Sequence, residues 1–322
     1  MSFHTIFLSI DKCNDMISLE EYIQEKLKVT KKSAKINHIP KDYDELFVLI
    51  HDKYPECNGH LDCTDIDVSE IDNMHDLFSS LNKLQSIDIS GWDTSNVTNM
   101  QHMFSYLPNL EKIVGLKDID VSSVDNMASM FENCRLLEQI DIRSWDMSKV
   151  KNMSHMFEFC FALKDIPGIE DIDTSSNTEC EGTFRGCYVL TKLDLHKWKV
   201  DNVITFTEMF DACKSLEHID LSGWDIKATD ADAMFMNCQD LTHLDLTGWT
   251  ADTFFNCSKM FRGCSKLETI IGDIENWDMH GIEISYMFEN ASKLKLDLSN
   301  WNIRKNTKKE YVFSGAPLIK KP

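Results

Sequence analysis

A phenylalanine recurs along most of this chain at intervals of 25 to 27 residues: Phe78, Phe104, Phe131, Phe157, Phe184, Phe210, Phe235, Phe261, Phe288 and Phe313. A fixed period of that size limits the chain to architectures of stacked, near-identical units. Other columns keep the same phase. Met precedes the Phe in seven copies, from Met103 to Met287. Three residues after it stand Cys134, Cys160, Cys187, Cys213, Cys238 and Cys264, and six after it stands Leu in nine copies. Four residues before it come Met74, Met100, Met127, Met153, Cys180, Phe206, Ala231, Cys257 and Ile284.

The columns at −4, −1, 0 and +3 are spaced as one face of an α-helix, and the repeat is expected to carry a short helix there. The polar run before it, such as Thr94–Asn99, suits a turn and N-cap. After it, Leu84-Gln85-Ser86-Ile87-Asp88-Ile89 alternates with the period of a strand. All seven tryptophans follow such strands, and Ile66, Ile119 and Ile172 take the same place in copies without Trp. No single unit can bury its apolar side alone, whereas a stack can. The expectation is an α/β leucine-rich-repeat-like solenoid of about ten strand–turn–helix coils, right-handed by the crossover rule. Its parallel sheet would run about 45 Å.

LQSIDISGWDTSNVTNMQHMF (Leu84–Phe104) and MFENCRLLEQIDIRSWD (Met130–Asp146) resemble the BspA-like leucine-rich-repeat surface proteins. The resemblance covers roughly residues 61–316. It implies a solenoid used for binding, often in adhesion at a bacterial surface.

Residues 1–60 do not repeat. Ser18 with Glu21, and Asp42 with Glu45, form capping patterns before two amphipathic helices, and a strand is expected around Ile6–Ile10. These residues are expected to form an N-terminal cap or small domain, followed by the solenoid over 61–303. A degenerate last coil and basic C-terminal cap are expected over 304–322. Net charge is −2, −23 and +5 over the three spans, −20 in all. An acidic rod disfavours nucleic acid and anionic membranes as partners. No apolar run is long enough for a transmembrane helix. The N-terminal residues lack the basic and small-residue marks of an export signal, so an intracellular or particle-associated place is favoured over the cell surface. Reduced thiols follow from the same reading.

An aspartate column lies mid-strand, at Asp88, Asp141, Asp194, Asp220 and Asp245, with Asp297 shifted by one. Alternation points it outward. The candidate contact residues are Ser86, Asp88, Asp141, Arg143, Asp194, His196, His218, Asp220, His243 and Asp245. Stacked like charges need compensation, from hydrogen bonds, a basic partner or a cation. The histidines beside them suit a His/Asp metal patch or a pH-sensitive contact. His51, Cys57, His60 and Cys63 offer zinc-type ligands at a spacing that fits no zinc motif. The cysteine columns share the phase of the core and are expected as buried thiols. Catalytic motifs are absent from the sequence, and no cofactor is expected. The functional expectation is non-catalytic recognition of a protein partner, a basic one by charge. The alternative is a structural or assembly protein of a virion or intracellular complex.

Overall fold

A computed structural model describes residues 36–303 and 307–322. It is a solenoid of about ten coils. Where strands pair, they do so in parallel and in register with the strand of the next coil. The strands are β1 (His60–Asp62), β2 (Ser86–Asp88), β3 (Lys112–Val114), β4 (Lys192–Asp194), β5 (His218–Asp220), β6 (His243–Asp245), β7 (Thr269–Ile271), β8 (Leu296–Asp297) and β9 (Ile319–Lys320). They form four short sheets, β1-β2-β3, β4-β5, β6-β7 and β8-β9, rather than the one continuous sheet the repeat suggests. One cause is visible between β3 and β4. There Gln139 and Asp165 make only an isolated bridge, and Pro167 has no amide to extend it.

The helix expected in each coil is not there. Among the described residues the α-helix is α1 (Tyr43–Lys53), ahead of the repeats. The −4 to +3 block of each coil is instead a run of turns, and its hydrogen bonds explain why. Alternate amides reach the next coil: Met74 donates to the Asn99 carbonyl, Asp76 to Gln101, Phe78 to Met103 and Ser80 to Ser105. The amides between them turn back three residues: Leu77 to Met74, Ser79 to Asp76 and Leu81 to Phe78. A helix would spend every amide inside its own coil. The alternation requires left-handed backbone at −2 and +2, as at Asp76 (φ 55°) and Ser80 (φ 63°), and the pair recurs in every coil. Position +2 is accordingly Asn133, Gly186, Asn237, Gly263, Asn290 or Gly315 in six coils, the residue types that tolerate that region.

The same turn run delivers the expected core. The ten anchor rings stack in one file, with centroids 5.2–6.1 Å apart and planes within 15°. The tryptophans are buried on the other side. Six of their indole N–H groups donate to a carbonyl of the preceding coil, as Trp92 does to Cys63 at 3.0 Å. The −4 and +3 cysteines are buried and free. Each +3 thiol donates to the carbonyl of the anchor Phe one coil earlier, at 3.0–3.3 Å. Burial pushes the Cys160 and Cys264 thiols up to about 12, which suppresses the reactive thiolate.

α1 forms where the Asp42/Glu45 pattern predicts a helix. Asp42 Oδ1 accepts from the Glu45 amide at 3.0 Å, and Leu46 and Ile50 are fully buried against the first coils. The expected Ser18 helix and the Ile6–Ile10 strand lie outside the described residues. At the other end Phe313 stacks on Phe288, and β9 pairs with β8.

Candidate functional site

On the strand face one residue in three points inward. In β2, Ile87 is buried while Ser86 and Asp88 are half-exposed. In β4, β5 and β6 the flanking residues, including Asp194, His218, Asp220, His243 and Asp245, are exposed. Arg143 and His196, two residues beyond their aspartates, are exposed as well, and Asp141 is half-buried. All ten candidate residues therefore lie on the outer surface.

They do not form one patch. In register, Asp88 meets Val114 and Asp245 meets Ile271, and the Gln139–Asp165 bridge sets Asp141 opposite Pro167. Apolar residues thus divide the column into three parts: Ser86 with Asp88, Asp141 with Arg143, and the run from Asp194 to Asp245. In the last part β4 and β5 place Asp194 beside Asp220. Asp194, His196 and Asp220 each bring one ligand atom within 4.8 Å of the others. Among the described residues this is the one His/Cys/Asp/Glu group so assembled, and His51, Cys57, His60 and Cys63 do not converge in that way.

The aspartates have a local task that explains the column without any ligand. Each accepts the amide two residues on: Ser90 to Asp88 (2.9 Å), Arg143 to Asp141 (3.2 Å), His196 to Asp194 (3.3 Å), Ser222 to Asp220 (2.9 Å) and Thr247 to Asp245 (2.8 Å). This side-chain turn ends the strand and bends the chain into the Trp corner. Two of these carboxylates make further contacts with the side chain two residues on. Arg143 grips Asp141 with Nε at 3.0 Å and Nη2 at 2.6 Å, and this bond holds the Asp141 carboxyl below its usual range. His196 Nδ1 lies 2.5 Å from Asp194 and lowers that carboxyl likewise. Ser86 Oγ meets His60 Nδ1 at 2.9 Å, and His243 Nδ1 meets Thr242 Oγ1 at 2.9 Å. The aspartates are thus offset by amide donors throughout the column and, at Asp141, by the Arg143 cation.

A second charged cluster, on the turn side, has no counterpart among the sequence candidates. Arg185 Nη1 lies 2.7 Å from Glu208 and 3.2 Å from Glu158, and its Nε lies 3.2 Å from Asp211. Burial pushes the Glu208 and Asp211 carboxyls up. Burial also opposes the Arg185 charge, but the surrounding carboxylates hold it firmly protonated. The signal lay in the +1 column, where Glu132, Glu158, Arg185 and Asp211 follow one another directly after the anchor Phe. This cluster ties three coils together, those of Phe157, Phe184 and Phe210.

No helix among the described residues is long and apolar enough to cross a membrane. No curated protein matches the chain. Bacterial leucine-rich repeat proteins are among its structural neighbours. One from Bacteroides ovatus is 16% identical, with 79% of this chain and 76% of that one covered and a TM-score of 0.38. One from Eubacterium ventriosum is 15% identical, with 89% and 90% covered and a TM-score of 0.38. A leucine rich cell surface protein from Faecalibacterium prausnitzii is 15% identical, with 76% and 77% covered and a TM-score of 0.29. The family described as "Mycoplasma protein of unknown function, DUF285" matches residues 50–166, 137–249, 160–272 and 227–322. These overlapping matches run from the end of α1 through every coil, and the chain belongs to that family.

Proposed function

We propose that this protein is a non-catalytic recognition module whose strand face binds a basic protein partner. The centre of the contact is the run Asp194, His196, His218, Asp220, His243 and Asp245. The carrying observation is that these charged side chains stand exposed on adjoining strands, two of them held by parallel pairing. Repeat stacking fixes them in place before any partner arrives, so little ordering entropy opposes binding. Complementary charge would act mainly on the association rate and on discrimination between partners.

The test is charge reversal at Asp194, Asp220 and Asp245 with co-purification from the native source. Loss of a partner that wild type retains at the same salt supports the reading. Unchanged retention removes the strand face as the site. A structural or assembly role is the second reading, and the free thiols of all ten described cysteines accord with a reducing compartment. Stoichiometric retention in a large particle would distinguish it.

A further inference from the structure

The column four residues after the anchor Phe is undemanding in most coils: Asn82, Pro108, Gln239, Ser265, Ser292 and Pro317. Four consecutive coils depart from it with Arg135, Phe161, Tyr188 and Lys214. The solenoid piles these four side chains into a single stack. The Arg135 guanidinium carbon lies 5.4 Å from the Phe161 ring centre. The Phe161 and Tyr188 rings lie 4.6 Å apart at 7°. Lys214 Nζ sits 3.9 Å from the Tyr188 ring centre. In the next column, Leu136 and Val189 are 43% and 39% exposed beside the rings.

The core does not call for this pile. The anchor file is complete without it, and asparagine, glutamine, serine or proline fills the position elsewhere. Its charge also runs against the molecule. In a chain of net charge −20, Arg135 and Lys214 have no carboxylate partner among the described residues, and Arg135 donates instead to Asn133 Oδ1 at 2.7 Å. Two acids in neighbouring columns are taken: Glu138, seven residues after Phe131, by Lys164 at 2.7 Å, and Asp240, five after Phe235, by Lys266 at 2.8 Å.

We propose that this stack docks an extended acidic segment of a partner protein, with carboxylates at positions i and i+4 and an apolar side chain at i+2. Charge selects the class: two unpaired cations flank a half-exposed aromatic pair. Geometry sets the spacing. Three coil steps of about 4.8 Å place the cations about 14 Å apart. Four residues of extended chain span about 14 Å, and their alternate side chains share one side. The carboxylates then meet Arg135 and Lys214 while the central side chain lies on Phe161 and Tyr188 between Leu136 and Val189. Single-stranded nucleic acid could also stack on these rings, but two cations do not offset the field of an acidic rod on a polyanion. The site shares no residue with the strand face, so either can fail alone.

The test uses the full chain and a fluorescein-labelled peptide Ser-Glu-Ser-Leu-Ser-Glu-Ser, read by anisotropy at low salt. The expected result is saturable binding that weakens about tenfold or more in the Arg135→Ser/Lys214→Ser double variant, as for close charge pairs elsewhere. Replacing both peptide Glu residues by Gln should weaken it equally. Serine is native to this column in other coils, at Ser265 and Ser292, so the variant keeps the fold. Equal binding of the Glu and Gln peptides, or equal binding by wild type and double variant, overturns the proposal. Tighter binding of an oligothymidine strand than of the acidic peptide overturns it too and assigns the stack to nucleic acid.

Discussion

Phe184 shows what one repeat position is worth. Its ring is fully buried, with neighbours at 5.6 and 5.7 Å on either side. Phe184→Ala opens a cavity that two stacked rings cannot close without breaking their own stacking. Urea denaturation should therefore register a loss of about 3–5 kcal/mol. A loss well under 1 kcal/mol would mean that the file can collapse and is not the main source of coil-to-coil stability. Asp297 illustrates the opposite case, a residue defined by charge. Lys320 Nζ lies 2.7 Å away, and this bond lowers the Asp297 carboxyl to about 2. A carboxyl lowered on folding stabilises the native state above its unfolded pKa, and that contribution is lost as pH falls through the folded value. An NMR titration should give Asp297 a midpoint near 2, and Lys320→Gln should raise it. An unmoved midpoint would assign the shift to the Ser299 contacts alone, since Ser299 donates both its amide and its hydroxyl to Asp297.

The turn run is where the reading of pattern and the fold part company. Positions −4, −1, 0 and +3 sit on one side of an α-helix, but they equally sit on one side of successive three-residue turns. Hydrophobic spacing over eight residues cannot separate the two. The separating signal is backbone chemistry: Gly186, Asn237, Gly263 and their equivalents recur at +2, where a helix gains nothing from them. Gly263→Ala decides between the forms by sign. In a helix it would stabilise by about 1 kcal/mol. Here φ is +74°, and a Cβ would lie 2.6 Å from Asn237 Oδ1, so a loss of melting temperature is expected. A gain would restore the helix. The strand, by contrast, was legible because alternation has one meaning: Ile87 is buried between outward Ser86 and Asp88. The outward placement of the candidate site was legible for the same reason. Its division into three parts was not, since Val114, Pro167 and Ile271 interrupt the aspartates only once register aligns the coils. Nor was the Arg135–Lys214 stack, whose members lie about 26 residues apart and matter only when piled together.

Across the whole molecule, coils touch mainly their neighbours, so stability is a sum of interfaces and no distant contact rescues a weak one. Charge acts at that scale. The span 61–303 carries a net −23, and adjacent coils lie about 5 Å apart, within the roughly 10 Å screening length at 0.1 M salt. Repulsion between stacked acids such as Asp194 and Asp220 therefore reaches the neighbouring coil at low salt almost unscreened. Opposing it are inter-coil ion pairs such as Lys197–Asp171 at 2.6 Å and Lys308–Glu283 at 2.9 Å. Those pairs are exposed, and exposed pairs are each worth about 1 kcal/mol or less. Salt weakens attraction and repulsion together, but acids outnumber bases about two to one in the rod, so repulsion has more to lose. Raising sodium chloride from low to moderate concentration should raise the melting temperature by a few degrees. Neutralising Asp220 with Asn should reduce that salt response, because it removes one charge from the stack while Asn keeps an oxygen to accept the Ser222 amide. A melting temperature that falls with salt would show that the ion pairs, and not the acidic columns, govern how the coils hold together.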